Sequence, residues 1–156
     1  DCHGGDARAE TANAAHGSSR GFKGVPRGAE IVALCGRCHS DAAYMHDFRP
    51  ATHTDQTAQY ATSGHGRRLA AGDTKAATCA SCHTAHAVFP VADARSSVFP
   101  LNVPTTCGRC HADAEYMAGR KVPTDIVAKY RGSVHGRALL DRGVRGAPAC
   151  NSCPTS

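Results

Sequence analysis

The spacing of the cysteines constrains this 156-residue chain more than any other feature. Eight of the nine cysteines form pairs with two residues between them, and Cys2 stands alone near the first residue. A disulfide framework normally spreads its cysteines, because closing a long loop is the source of the stabilisation. Pairs two residues apart are instead typical of a metal site, a redox dithiol or a covalently attached haem. The pairs are Cys35/Cys38, Cys79/Cys82, Cys107/Cys110 and Cys150/Cys153.

A histidine follows three of these pairs directly, in CGRCH at 35–39, CASCH at 79–83 and CGRCH at 107–111. C-x-x-C-H is the attachment signature of c-type haem. Residues i and i+3 share one face of a helical turn, so both thiols can reach one edge of a porphyrin. The histidine that follows is then placed to bind the iron. Zinc ribbons built from CxxC pairs are the alternative, but they give no reason for the histidine.

The two ends of the chain carry incomplete versions of the motif. DCH at 1–3 predicts that Cys2 and His3 end a further motif whose first cysteine precedes Asp1, although a free thiol at Cys2 is the alternative. At the other end, CNSCP has Pro154 where the histidine belongs, and proline cannot bind iron. Cys150 and Cys153 therefore either hold a haem whose histidine comes from elsewhere or form a disulfide.

The chain repeats itself with an offset of about seventy residues. CGRCHSDAAYM at 35–45 recurs as CGRCHADAEYM at 107–117, and QYATSGHGRRL at 59–69 recurs as KYRGSVHGRAL at 129–139. This repeat predicts the end of a preceding unit at 1–34, a first unit with two CxxCH motifs at 35–106, and a second unit at 107–156. The second unit has one CxxCH and the degenerate CxxCP. The incomplete motifs predict that the chain is a fragment of a longer protein or one unit of an end-to-end polymer.

Large apolar side chains are scarce, since the chain has no Trp, four Phe and four Tyr beside sixteen Gly and eight Pro. Such a chain cannot fill an ordinary core with its own side chains. We therefore predict a mainly irregular fold with short α-helices, little or no sheet, and a core formed by haem. Helical turns are expected at each CxxCH and near 55–63 and 124–133, and irregular structure is expected over 87–106.

With these motifs the sequence resembles multihaem c-type cytochromes of periplasmic and extracellular electron transfer. The resemblance is carried by the three CxxCH motifs, by CASCHTAH at 79–86 and by Tyr-x-x-Ser-Val-His-Gly-Arg at 130–137. It implies four covalent haem c groups, with a fifth at Cys150 and Cys153 if that pair is used. It also implies two histidine ligands for each iron. The nine cysteines would hold haem: Cys2, Cys35, Cys38, Cys79, Cys82, Cys107, Cys110, Cys150 and Cys153.

The ten histidines divide by context. Recurrence in a His-Gly setting favours His65, His135 and His16 as distal ligands, and His86 is assigned to a haem beside that of His83. His46 and His53 have no counterpart in the second repeat and are expected at the surface. Met45 and Met117 do recur, and they are the alternative distal ligands, which would raise the potential. The resemblance thus implies four proximal ligands, His3, His39, His83 and His111, and four distal ligands, His16, His65, His86 and His135.

The expected function is electron transfer through a closely spaced row of these haems, by a carrier or by a segment of an extracellular haem wire. Other redox proteins or copies of the chain are the expected partners, in the periplasm or outside the cell. A multihaem oxidoreductase of the nitrite or hydroxylamine type is the alternative, but it needs an iron with an open coordination position, so no enzyme is predicted. No apolar run approaches the length of a membrane span. The charge of +5 comes without basic runs or stacking aromatics, which argues against nucleic acid. Haem propionates are the expected partners of Arg37, Arg67, Arg68, Arg109 and Arg137.

Overall fold

The computed structural model describes residues 2–152, and it has nine α-helices and no strand within that range. The prediction of short helices joined by irregular segments without a sheet is confirmed. Two 3-10 turns, Ser18–Arg20 and Cys150–Ser152, complete the regular structure. The helices are α1 (Ala12–Ala15), α2 (Ala29–His39), α3 (Ala42–Phe48), α4 (Gln56–Thr62), α5 (Gly64–Ala70), α6 (Cys79–His83), α7 (Val103–His111), α8 (Ile126–Gly132) and α9 (Val134–Leu140).

The chain forms two compact units, Asp1–Cys79 and Ala80–Ser156. In the first unit α2 packs against α3 and α4, and α4 packs against α5. In the second unit α7 packs against α8 and against the Cys150–Ser152 turn, and α8 packs against α9. Each unit therefore contains a CGRCH helix followed by a pair of packed helices. The compact units and the sequence repeat are two different divisions of the chain, because the repeat records similarity whereas the units record contact.

Two helices extend further than the sequence predicted. The first CGRCH motif is the end of an eleven-residue helix, α2. The helix α7 begins at Val103, with Pro104 in its first turn. The prediction of irregular structure over 87–106 is thus wrong for its last four residues. Proline fits the first turn of a helix because its missing N–H has no helical partner there.

The buried apolar core is small. In the second unit it consists of Val103, Leu139 and Ala149, and Leu139 is fully buried. Met45 and Met117, which occupy equivalent positions of the repeat, are each 7 % exposed. The chain's own atoms therefore cover both methionines, which makes them core side chains.

A tyrosine hydroxyl ties each helix pair to the segment that leads into the next cysteine motif. Tyr60, on α4, donates to the carbonyl of Ala77 at 2.9 Å. Tyr130, on α8, donates to the carbonyl of Pro148 at 2.8 Å. Each acceptor stands two residues before a cysteine, Cys79 in the first case and Cys150 in the second. The tyrosine of the repeat thus positions the start of the following motif.

Within residues 2–152, no helix has both the length and the apolar character needed to cross a bilayer.

We predict that Tyr60→Phe and Tyr130→Phe each lower the free energy of unfolding by about 1 kcal/mol, because each removes one hydrogen bond to a backbone carbonyl. Urea unfolding of the full chain measures this change. Tyr44→Phe is the comparison, since that residue is 46 % exposed and its hydroxyl is hydrogen-bonded to the Cys38 thiol and not to a backbone carbonyl. If Tyr60→Phe and Tyr44→Phe are equally stable, the hydrogen bond from Tyr60 to the Ala77 carbonyl does not contribute as predicted.

Candidate functional site

The CxxCH motifs lie at helix ends, as predicted. Cys35 and Cys38 stand in the last turns of α2, and His39 is its final residue. The same arrangement ends α7 at His111. CASCH forms the whole of α6. Because i and i+3 share a helix face, each motif presents two thiols on one side.

In the first unit, thiols of two successive motifs are hydrogen-bonded, and the thiol of the motif before them acts on Cys35 electrostatically. The Cys35 thiol is hydrogen-bonded to the Cys79 thiol, and Cys2 and Cys38 lie close by. Burial raises the pKa of Cys35 to about 11, and the neighbouring Cys79 thiol adds to the effect. A thiol with this pKa is protonated at neutral pH. The polypeptide thus brings Cys2, Cys35 and Cys79 together although they are far apart in sequence.

The second unit repeats this arrangement. Burial raises the pKa of Cys107 to about 12, with Cys150, hydrogen-bonded to it, and Cys82 adding to the effect. By the repeat, Cys107 corresponds to Cys35 and Cys150 to Cys79. The degenerate last motif therefore takes the position of a complete one. None of the described cysteines is in a disulfide. Cys153 and Pro154 lie outside the described residues.

His3 and His16 form a compact aromatic cluster with Phe22. The two imidazole rings stack with centroids 5.5 Å apart and an angle of 18° between their planes. Phe22 lies edge-on to both rings, at 5.2 Å from His3 and 4.8 Å from His16. A ring nitrogen of each histidine lies within 4.8 Å of one on the other. Two imidazoles on opposite sides of one metal ion, with bonds of about 2 Å each, need nitrogens about 4 Å apart.

The backbone fixes the tautomer of His16. Its Nδ1 lies 2.7 Å from the carbonyl oxygen of Ala12, which can only accept, so Nδ1 carries the proton. The Nε2 lone pair is then available for a metal, and a backbone carbonyl on the other ring nitrogen is the usual partner of a metal-binding histidine. Two backbone bonds hold the segments together, from Lys23 N to the His3 carbonyl and from Asp6 N to the Ala15 carbonyl, each 2.9 Å.

The segments that carry His65 and His135 are built alike. The Ser63 hydroxyl oxygen accepts from Gly66 N at 3.1 Å and begins α5, and Ser133 accepts from Gly136 N at 3.0 Å and begins α9. Each histidine is the second residue of its helix, and each is exposed. The serine caps thus present His65 and His135 at the surface of the polypeptide, in the first turn of a short helix.

The glycine after each of these histidines has a role that the sequence did not indicate. In the structure, a Cβ on Gly66 would lie 2.0 Å from the Tyr60 carbonyl oxygen, and a Cβ on Gly136 would lie 2.0 Å from that of Tyr130. Glycine is needed there because the two helices of each pair cross at this point.

All five arginines expected to pair with propionates make contacts within the chain, and three of them do so at the paired helices. Arg67 donates to the Thr62 carbonyl, and Arg137 donates to the Gly132 carbonyl. Arg68 lies 3.9 Å from Asp73. These contacts stabilise the ends of the paired helices within the chain.

His86 stands between two residues with unusual backbone geometry. Thr84 and Ala87 have φ values of 69° and 54°, a left-handed conformation that residues other than glycine rarely adopt. The Thr84 hydroxyl donates to the His86 carbonyl at 2.7 Å. Such strain persists only where the surroundings impose it, and it is frequent at functional sites. His83 and His86 are both exposed, as is His39, whereas His111 is half-buried.

His46 and His53 are exposed, in agreement with their expected surface position. Neither histidine lies in the segments that form the repeated tyrosine hydrogen bonds and serine caps.

The chain exposes more surface than a compact protein of its mass. Its accessible surface is 10726 Å², for a mass of 16.2 kDa. A compact protein of this mass exposes about 7,400 Å², and two separate proteins of half the mass expose about 9,000 Å² together. The described residues offer helical thiol pairs and imidazoles beside this excess of surface. These donors match the thioether and axial positions of haem c, so the residues fit that group.

Sequence reasoning missed Phe22 and gave no role to the recurring tyrosine and serine. Phe22 belongs to no repeated segment, so no sequence signal marks it. Tyr60 and Tyr130 stood in the repeat, and their recurrence was the signal that could have identified a structural contact. For the helix caps, the corresponding signal was the serine that stands three residues before the glycine in both repeats, because serine at that spacing often accepts a backbone N–H at the start of a helix.

Comparison of the chain with protein-family models, with curated proteins and with solved structures finds no match.

We predict that Gly66→Ala lowers the free energy of unfolding by about 1–3 kcal/mol, since the new Cβ overlaps the Tyr60 carbonyl. Gly64→Ala is the matched control. It lies two residues earlier in the same helix, where a Cβ meets nothing within 4 Å, and it should change stability by less than about 1 kcal/mol. Gly136→Ala and Gly132→Ala test the same contrast in the second unit. Urea unfolding distinguishes them, and equal values within a pair would rule out the crossing contact.

Proposed function

We propose that this protein transfers electrons through closely spaced, covalently bound c-type haems with two histidine ligands each. The observation that carries the proposal is the meeting of successive cysteine motifs within each unit. The Cys35 thiol is hydrogen-bonded to the Cys79 thiol, and the Cys107 thiol is hydrogen-bonded to the Cys150 thiol. Haems attached to motifs in such contact are held near one another by the fold itself.

The polypeptide supplies attachment and ligation. The thiols at i and i+3 of each helical motif would form the two thioether links, and the histidine that follows would bind the iron. The pair His3 and His16 supports bis-histidine ligation, because a ring nitrogen of each lies within 4.8 Å of one on the other and the Nε2 of His16 is left available by its backbone bond. Bound haem supplies one-electron chemistry, as iron alternates between the ferric and ferrous states.

The remaining residues hold this geometry. Tyr60 and Tyr130 position the segments that enter the motifs at Cys79 and Cys150. Ser63 and Ser133 begin the helices that present His65 and His135. Saturated ligation favours a conduit over an enzyme, since an enzyme needs an open position at the metal. The proposal includes a location in the periplasm or outside the cell, where cytochromes of the type that the motifs resemble receive their haem. It also includes redox proteins or further copies of the chain as partners.

We expect pyridine haemochrome analysis to count four haems per chain, or five if Cys150 and Cys153 are used. The visible spectrum should be low-spin in the oxidised and dithionite-reduced states and insensitive to carbon monoxide. A high-spin fraction that binds carbon monoxide would favour the oxidoreductase alternative. A chain purified from a host able to attach c-type haem, yet without a Soret band, would refute haem binding, and metal analysis would then test for zinc.

We further predict that His16→Ala, His65→Ala and His135→Ala each convert one haem per chain to a high-spin form that binds carbon monoxide, because each removes one distal ligand. His46→Ala is the control, since its side chain is 78 % exposed and contacts only Asp47 among the described residues. Carbon monoxide difference spectra of the reduced proteins measure the effect. A distal variant that behaves like the His46 control would remove that histidine from the ligand set.

A further inference from the structure

The arginine in the middle of each CGRCH motif leaves its helix on the side opposite the motif's own cysteines, although the charge of Arg109 also acts to lower the pKa of Cys107. Cys35, Cys38 and His39 share one face of α2. At 3.6 residues per turn, position 37 lies about 150° around the helix from the mean direction of those three. The identical spacing in α7 gives Arg109 the same direction. These helices therefore have one face with the motif's thiols and an opposite face with a permanent positive charge.

Both arginines contact the backbone of the preceding cysteine motif. Arg37 Nη2 donates to the carbonyl oxygen of Cys2 in the first unit. Arg109 Nη2 donates to the carbonyl oxygen of Ser81, within CASCH, at 3.0 Å in the second unit. The two contacts form independently, in different units and between segments 35 and 28 residues apart. This recurrence points to a role of the arginine toward the preceding motif.

The side chain of Arg37 also lines a cavity beside Cys2 and His3. The cavity has a volume of about 400 Å³. Its apolar wall includes Val25 and Leu34, and the charged groups that line it are Lys23, Glu30 and Arg37. Lys23 and Glu30 carry opposite charges, so Arg37 gives the cavity its net positive charge. The Arg37 guanidinium therefore lines the same cavity as Cys2 and His3, the two residues of the first motif.

From these contacts we infer that Arg37 and Arg109 are positioning residues for the haem of the preceding motif, and that they raise its reduction potential. The inference rests on the proposed function. A fixed positive charge near the iron favours the ferrous state, because reduction removes one positive charge from the centre. The carbonyl contact keeps that charge in place and fixes the spacing between the two motifs. An arginine of one motif thus tunes the haem of another.

The second unit has an additional link between the same two motifs. Ser97 donates to the Cys82 carbonyl, and Thr106 donates to the Ser97 carbonyl at 2.7 Å. The segment before α7 thus ties α7 to CASCH independently of Arg109. Loss of Arg109 should consequently leave the motif spacing intact while removing the charge, which separates the electrostatic effect from the structural one.

The test is a spectroelectrochemical titration of the full haem-containing chain. His16→Met marks the haem of His3, since a methionine ligand raises its potential above those of the bis-histidine haems. In that background, Arg37→Gln should move the marked component to a lower potential, and Arg37→Lys should largely restore it. Arg109→Gln is the matched control, because it removes the same residue of the other CGRCH motif. Arg109→Gln should leave the potential of the marked component unchanged. It should lower the potential of a different component of the titration curve.

Two results would overturn the inference. One is an Arg37→Gln curve whose marked component coincides with that of the parent, even if the variant unfolds more easily. The other is equal shifts of that component in Arg37→Gln and Arg109→Gln. A haem-free chain would instead refute the proposed function. Haem that is present without a separate component in His16→Met would refute the pairing of His16 with His3, and the comparison of Arg37→Gln with its parent would then be made on the whole titration curve, where an unchanged curve overturns the inference.

Discussion

Scarcity of large apolar side chains is the constraint on which the rest of this structure depends. Leu139 and Pro104 are the largest fully buried side chains among residues 2–152, and the buried apolar cluster that contains Leu139 is small. Hydrophobic burial of about 25 cal/mol per Å² cannot hold so open a chain together by itself. Directed polar contacts to backbone carbonyls therefore set the local geometry. A tyrosine hydroxyl, a serine cap and an arginine each do this at a defined place in the repeat.

The duplication shows which of these contacts matter. The tyrosine tethers at Ala77 and Pro148 differ by 0.1 Å in length, and the serine caps of α5 and α9 also differ by 0.1 Å. The residues between these contacts differ widely in the two repeats. Conserved geometry over divergent sequence within one chain indicates that the tethers and caps are required. They position the cysteine motifs and the exposed histidines, which are the groups that carry the proposed chemistry.

These positions connect the fold to the proposed function. A carrier of closely spaced haems needs attachment points that meet, ligands directed toward the metal, and charges that set the potentials. The paired thiols, the stacked rings of His3 and His16, and the opposite-facing arginines correspond to these three needs. On the same proposal, covalently attached haem would cover part of the excess accessible surface.

The sequence by itself determined the local features. Helical turns at each CxxCH, helices near 56–62 and 126–132, the absence of strand among the described residues and the surface position of His46 and His53 all follow from spacing, composition and recurrence. The helices α5 and α9 were missed, because seven glycine-containing residues carry little periodic signal and their start depends on a serine cap. Only the tertiary structure decided which motifs meet, that Phe22 joins His3 and His16, and that Arg37 contacts Cys2. Sequence spacing specifies neighbours within a helical turn, whereas contact between residues 35 apart depends on the path of the intervening loop.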